Sequence, residues 1–150
     1  EKIINYYKIS NKKIIFYNLS ISDTYGENDN RRKLINTLKK NIAKKKEIKI
    51  ISKKLFINLL NIKDVISGVS TLLEKKIKPG KYNVINDKNF EIFGIVSKIQ
   101  KQIKHKIQIK WISSKTIKEK IYNYKTIPGW KPKNSTFNDL IDFIIKDYKT

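Results

Sequence analysis

The run Asp23-Thr24-Tyr25-Gly26-Glu27-Asn28-Asp29-Asn30-Arg31-Arg32 holds the densest chemistry in the sequence. Arg31 and Arg32 stand just before Leu34, Ile35, Leu38 and Ile42, which recur at helical spacing. Two guanidiniums at a helix start could pair with a diphosphate, because the first turn also offers unpaired N–H groups to an anion. The competing reading is solvated charge at a helix end. Taken alone, Tyr25-Gly26 fits a strand-ending turn in which glycine supplies a positive φ. Asp64 sits where an N-cap or first-turn acid belongs, a commoner role than general base, since N–H contacts lower a carboxylate's own pKa. His105 is the lone histidine. Its place at the end of an alternating segment among lysines suits a solvent-facing or strand-end role better than a Ser-His-Asp centre. Trp111 and Trp130 could stack on a base or a sugar, but a strand face and a Pro-Gly turn are more often core positions.

Composition removes several classes of chemistry. The 150 residues contain no cysteine and one histidine, so neither a thiolate nor a histidine-ligated zinc centre can be built, and no metal site is expected. No apolar run approaches membrane-spanning length and no signal-peptide pattern is present, which makes the cytoplasm the expected location, with no membrane partner. The formal net charge of +21 invites a nucleic-acid reading. Of the 34 basic residues, however, only Arg31 and Arg32 are arginine. The bidentate fork used to read bases is therefore nearly absent, and abundant Lys, Ile and Asn also follow from AT-rich codons. Nonspecific polyanion binding is the expectation from charge alone.

The elements that must position these residues alternate between strand and helix. Lys12 to Ile21 is rich in Ile, Phe and Tyr and too continuous for an amphipathic face, which predicts a strand buried on both sides of a mostly parallel sheet. Helices are predicted near 33–46, 64–76, 90–103 and 136–148. Their inward stripes are Val65, Val69, Leu72 and Leu73 in the second, Ile92, Ile95, Val96, Ile99 and Ile103 in the third, and Phe137, Leu140, Ile141, Ile144, Ile145 and Tyr148 in the fourth. Asn134 or Ser135 is the expected cap of the last helix. Strands are predicted near Ile48–Ile51, Leu55–Ile62, Tyr82–Ile85 and His105–Ile112. Such alternation is α/β, in a single unit spanning residues 1–150. Residues 1–8 read as the tail of an apolar-striped helix through Ile3, Ile4 and Tyr7, and with Glu1 in place of Met they suggest a fragment or a processed chain.

Four segments carry a resemblance. Asp23 to Ile35 resembles the strand, loop and helix that follow the catalytic helix in NAD(P)-dependent sugar-nucleotide epimerases, dehydratases and reductases of the extended short-chain dehydrogenase/reductase family. Leu55 to Val65 is similar to that family's strand running into an Asp-Val helix start, Gly80-Lys81-Tyr82-Asn83-Val84 to its Gly-x-Tyr-Asn strand, and Pro128-Gly129-Trp130-Lys131-Pro132 to its Leu-Gly-Trp-x-Pro ending. The order matches, over about residues 1–148. The wording Asp-Thr-Tyr-Gly with a following Asp-x-Arg is nearest to reductases that make CDP-linked dideoxyhexoses, enzymes of surface-sugar biosynthesis. Departures are present: Ser20 and Ile57 stand where relatives often have arginine, Asp23 where many have a sugar-contacting Asn, and Asn61 where they have His or Tyr.

The resemblance implies the C-terminal part of a Rossmann-like fold: the end of the parallel sheet plus a small substrate-binding region. It implies substrate-binding roles for Asp23, Tyr25, Arg31, Arg32 and Asn61, with no catalytic residue in this chain. The parent enzyme would transfer hydride between NAD or NADP and a sugar carbon, using a Tyr and a Lys upstream of Glu1. Neither the glycine-rich fingerprint nor a Tyr-x-x-x-Lys pair occurs here, so this chain alone is expected to bind no cofactor and to be inactive. The implied partners are a sugar nucleotide and the missing N-terminal half, with a homodimer left open. The competing readings are a basic nucleic-acid-binding module without catalysis and an inactive gene fragment.

Overall fold

In the computed structural model, which describes residues 2–11 and 13–149, helices and strands alternate along the chain. After α1 (Lys2–Ser10) come β1 (Asn18–Ile21), β2 (Asp23–Tyr25) and α2 (Leu34–Ala43). Next are β3 (Ile48–Ser52), β4 (Leu55–Ile57), β5 (Leu59–Asn61), α3 (Ile62–Glu74), β6 (Lys81–Val84), β7 (Phe90–Glu91) and α4 (Ile92–Gln102). The chain continues through β8 (Ile109–Ser113), β9 (Ile117–Lys118) and β10 (Lys125–Thr126) to α5 (Phe137–Lys149). The strands form small ladders ordered β1-β6-β10, β2-β5, β3-β8 and β7-β4-β9. Every pairing is parallel except that of β4 with β7. No helix is long and apolar enough to cross a membrane among the described residues.

Two apolar cores lie on either side of β5. Leu59 joins the larger, where α2, α4 and α5 bring together Leu38, Ile42, Ile95, Ile99, Leu140 and Ile144 with Ile48 and Ile50 of β3. Leu60 joins the smaller, with Val65, Leu72, Tyr82, Val84, Ile127 and Trp130. Successive strand residues point to opposite faces, so a three-residue strand feeds both cores. The indole Nε1 of Trp130 donates to Ser67 Oγ at 2.9 Å, which satisfies the one polar atom the ring buries.

The stripes of α4 and α5 face the core as their spacing dictates, with Ile92, Ile95, Ile99, Leu140, Ile141, Ile144 and Ile145 all buried. Elsewhere the structure departs from the periodicity. The predicted strand from Lys12 shrinks to Asn18–Ile21: residues 13–17 join no ladder, and Ile14 and Ile15 are exposed. Apolar β-branched residues favour a strand only where a neighbour can pair with them, and the ladder to β6 begins at Asn18 N, which donates to Gly80 O at 2.9 Å. Lys12 itself and the burial of Ile4 lie outside the described residues, while Ile3 and Tyr7 of α1 are exposed.

The predicted strand Leu55–Ile62 is broken at Asn58. This buried amide donates through Nδ2 to Asn86 O (3.0 Å) and Asn89 Oδ1 (2.9 Å), and its Oδ1 accepts from Asn86 N (2.8 Å). Residue 58 is thereby committed to the 86–89 loop. The strand predicted from His105 starts at Ile109, because Gln100 takes over the intervening backbone: its Nε2 donates to His105 O (2.9 Å) and its Oε1 accepts from Ile107 N (2.7 Å). Leu73 points outward instead of inward, 65% exposed. The cap of α5 is Thr136, in a reciprocal box with Asp139: Asp139 Oδ2 accepts from Thr136 N at 3.0 Å and Thr136 Oγ1 accepts from Asp139 N at 3.2 Å. Asn134 and Ser135 are occupied elsewhere.

Candidate functional site

Asp64 is what occupies them. The helix α3 begins two residues before it, capped by Asn61, whose side chain accepts from Lys63 N at 3.0 Å. Asp64 is 1% exposed and brackets the segment before α5. Its Oδ1 accepts from Lys133 N (2.9 Å) and Asn134 Nδ2 (2.9 Å), and its Oδ2 accepts from Asn134 N (2.9 Å) and Ser135 Oγ (2.5 Å). Burial alone would raise its pKa, but the donors at Ser135, Lys133 and Asn134 outweigh it and hold the carboxyl below its ordinary range. Asp64 is therefore a first-turn acid spent on tertiary structure, with no lone pair left over for proton transfer.

The loop between β2 and α2 is tied together by its own side chains. Arg31 forks onto Asp29, with Nε to Oδ1 at 2.8 Å and Nη2 to Oδ2 at 2.7 Å, and also donates from Nη2 to Thr24 Oγ1 at 2.9 Å. That Arg31 pairing holds the Asp29 carboxyl far below the usual range. Asn36 Nδ2 closes the loop onto α2 by donating to Asp29 O and Arg31 O at 3.0 and 3.1 Å. Asp23 pairs with Lys33 Nζ and accepts from Thr24 N at 3.1 Å. Arg32 is exposed, and its side chain makes no hydrogen bond or ion pair among the described residues. Lys33, at the start of α2, supplies no side-chain cap, so the first turn keeps its unpaired N–H groups.

Neither of the two hollows beside this loop is lined by more than one of the five residues singled out in the sequence. Tyr25 is 1% exposed: its ring packs on Phe143 with centroids 5.1 Å apart and its hydroxyl donates to Asn134 O at 3.2 Å. Burial pushes that hydroxyl far above the usual phenol range, so Tyr25 stays neutral and holds β2 to α5. Asn61 lies opposite Tyr25 in the β2–β5 ladder and acts as a helix cap. Gly26 needs no positive φ, contrary to the turn predicted from Tyr25-Gly26. It is required for close approach instead, since a Cβ there would lie 2.6 Å from Ile62 Cγ2. The positive φ belongs to Gly129, at 69° in the turn before Trp130.

Asp23 opens on a cleft of about 320 Å³ that it lines with Ile21, Ser22, Lys33, Ile57 and Glu119. Ile21 ends β1, Ile57 ends β4 and Glu119 follows β9, so the cleft lies at carboxyl ends of strands, where open α/β sheets take ligands. Ser22 Oγ is shielded there without a hydrogen-bond partner. Glu119 Oε2 accepts from Asn58 N at 2.8 Å, which fixes one wall. On the other side of the loop, Gly26, Asp29, Asn36, Lys39, Phe143 and Asp147 are among the residues around a second hollow of about 230 Å³. Ser22, Lys33 and Glu119 escaped sequence reasoning. The first two flank the loop already singled out, whereas Glu119 lies in a polar segment whose spacing carries no local signal.

The residues present do not fit a dinucleotide. Its pyrophosphate needs a glycine-rich turn between a strand and a helix, whereas β5 runs straight into α3 and β7 into α4, and the β2–α2 loop ends on Arg32-Lys33.

No protein-family profile and no curated relative matches the sequence. Solved structures do match. The chain superposes over 98% of its length on 50% of UDP-glucuronic acid 4-epimerase from Bacillus cereus in complex with NAD, with a TM-score of 0.75 and 21% identity. Over 99% of its length it matches 49% of dTDP-glucose 4,6-dehydratase from Bacillus anthracis in complex with NAD, at 0.73 and 21%. It also matches 53% of RMD from Pseudomonas aeruginosa complexed with NADPH, at 0.75 and 14%. The chain spans about half the length of these proteins. Its fold is the C-terminal half of the Rossmann-like architecture seen in these sugar-nucleotide epimerases and dehydratases.

Proposed function

We propose that this chain is the substrate-gripping half of an NAD(P)-dependent sugar-nucleotide epimerase, dehydratase or reductase. The observation that supports it most is the strand-end cleft, where the unpartnered Ser22 Oγ stands beside Asp23 and Lys33. In this assignment Asp23 takes a sugar hydroxyl, which donates to the carboxylate, while the shielded Ser22 Oγ lies in the wall behind it. The ion pair with Lys33 offsets the charge of Asp23, so the cleft does not repel an anionic ligand. Arg32, exposed next to Lys33 at the start of α2, supplies the cation for the diphosphate, with the free N–H groups of that first turn. Arg31 holds the loop's shape through Asp29 and Thr24. Asn61 and Tyr25 act one layer further in, setting the position of β2 and of the Asp64 bracket.

These residues bind and orient, and none of them is placed to move a proton. Fixing a sugar against a reactive group can contribute several kcal/mol of a barrier, up to roughly 7–11 in favourable intramolecular cases. Bound NAD(P) would supply the hydride chemistry of the whole enzyme. The residues that cradle it, and the Tyr and Lys that act on the sugar hydroxyl or ketone, belong to the half that this chain does not contain.

Titration of the ¹⁵N-labelled chain with UDP-glucose, dTDP-glucose and CDP-glucose, followed by amide shifts, tests the assignment. Saturable shifts are expected at Ser22, Asp23, Lys33 and Glu119, and the strongest of the three ligands names the base. Absence of shifts at millimolar ligand, or shifts confined to residues outside this cleft, would overturn it.

A further inference from the structure

Tyr122 and Tyr124 stand on the surface as a stacked pair, their ring centroids 5.4 Å apart and their planes 13° from parallel. Neither ring belongs to the two apolar cores, and Tyr122 is 53% exposed. The backbone beneath them is fixed. Asn83, buried in β6, donates through Nδ2 to Tyr122 O at 2.6 Å and to Tyr124 O at 3.1 Å. Tyr124 N also donates to Tyr122 O, at 2.9 Å, which closes a three-residue turn. β10 follows at once and pairs with the same strand, Lys125 opposite Tyr82. A turn tied to the sheet in this way presents both rings without the ordering cost that a loose loop would carry on binding.

Cations bracket the pair. Lys120 Nζ stands 6.0 Å from the Tyr122 centroid and Lys81 Nζ 5.7 Å from that of Tyr124, with Lys118 and Lys125 exposed on the same stretch. At the outer limit of cation–π range these ammoniums hold the rings weakly, so each can turn from a ring face to a phosphate. Aromatic rings set between lysines are a recurring platform for single strands, in which bases stack on the rings while the ammoniums follow the backbone. Stacking needs no guanidinium fork, because every base has a π face, so the shortage of arginine that argues against base readout does not argue against it. We propose that Tyr122 and Tyr124, with Lys81, Lys118, Lys120 and Lys125, form a platform for single-stranded nucleic acid, bound without regard to sequence. A duplex offers the rings no free base face. The platform does not rest on the sugar-nucleotide assignment.

Fluorescence anisotropy at about 50 mM salt, with two labelled probes of equal length and charge, isolates what the bases contribute. One probe is an oligothymidylate and the other an abasic phosphodiester oligomer. The chain is expected to bind the oligothymidylate about tenfold more tightly than the abasic oligomer. Tyr122→Ala with Tyr124→Ala should erase that gap while leaving the abasic affinity unchanged, and Tyr122→Phe with Tyr124→Phe, which keeps both rings, should retain it. Equal affinity for the two probes before any substitution overturns the proposal, as does a gap that survives loss of both rings or disappears when only the hydroxyls are removed. Should the double alanine variant fail to fold, Tyr122→Ala alone, at the exposed ring, is expected to narrow the gap about threefold, and an unchanged gap there overturns the proposal equally. Amide shifts at residues 122–124 produced by UDP-glucose and not by the oligothymidylate would assign the rings to a mononucleotide base and end the single-strand reading.

Discussion

Asp64 shows how a single carboxylate can be spent on tertiary structure. Its donors lie about seventy positions away, at Lys133, Asn134 and Ser135, so Asp64→Asn leaves buried N–H groups without a charged acceptor. The expected cost is about 3 kcal/mol at pH 7. Because the folded pKa is depressed, the contribution is complete above the unfolded value near 3.9 and is lost as pH falls through the folded value. Thermal melts of wild type and Asp64→Asn should therefore begin to converge as pH falls below about 4, and a gap that keeps its size well below that pH would contradict the account. The sequence made Asp64 visible as a helix-start acid, but its partners could not be read, since nothing local links position 64 to 133–135. The two arginines were equally visible and equally ambiguous. Geometry separates them: Arg31 is engaged by Asp29 and Thr24, and Arg32 is not engaged. Once the sugar-nucleotide titration gives a Kd, Arg32→Ala should weaken it about tenfold, the loss of one charge-assisted contact. Arg31→Ala should weaken it less while broadening the amide signals of residues 24–31. Equal effects would return both arginines to the same role.

At the scale of elements, periodicity succeeded where a face is buried along its whole length and failed where a distant side chain intervenes. The stripe Ile92, Ile95, Val96, Ile99 and Ile103 faces the core in full because β4 and α5 pack against α4. The strand expected from His105 fails because Gln100, on the preceding helix, binds the backbone at residues 105 and 107. The strand expected across residues 12–21 shows that composition can propose a strand without supplying its partner. Caps are legible to within one or two residues, which is enough to find α5 but not to choose among Asn134, Ser135 and Thr136. Thr136→Ala removes one side of the box with Asp139 and should cost about 1 kcal/mol. For a domain of this size that lowers the melting midpoint by roughly 2–4 °C. Asn134→Ala, which removes only a side-chain donor to Asp64, should leave the capping box and the helicity of α5 intact by circular dichroism.

At the scale of the whole molecule, the fold class and its half-length character were legible because four motifs fall in one order, and the order of elements is set by the chain itself. What was hidden is the cleft, assembled by Asp23, Lys33, Ile57 and Glu119 from four separate stretches. Since no strand-to-helix turn here can cradle a pyrophosphate, calorimetric titration with NADH and NADPH should give binding no tighter than millimolar; micromolar affinity would mean that the fold's nucleotide half is present after all. The net charge of +21 should give DNA or RNA binding that is sequence-independent and that collapses between about 50 and 200 mM salt in a competition gel shift. Selective nanomolar binding at the higher salt would favour the nucleic-acid role instead. The parallel ladders carry one further consequence. The pairings Asn18 with Lys81, Ile48 with Ile109 and Leu55 with Ile117 each join residues roughly sixty positions apart, and such non-local pairing makes folding slow. During synthesis the first three of these strands leave the ribosome well before their partners exist. The nascent chain must carry apolar strands unpaired for several seconds at ordinary elongation rates, an interval in which a chaperone, or strand pairing with the wrong neighbour, competes for the same backbone edges.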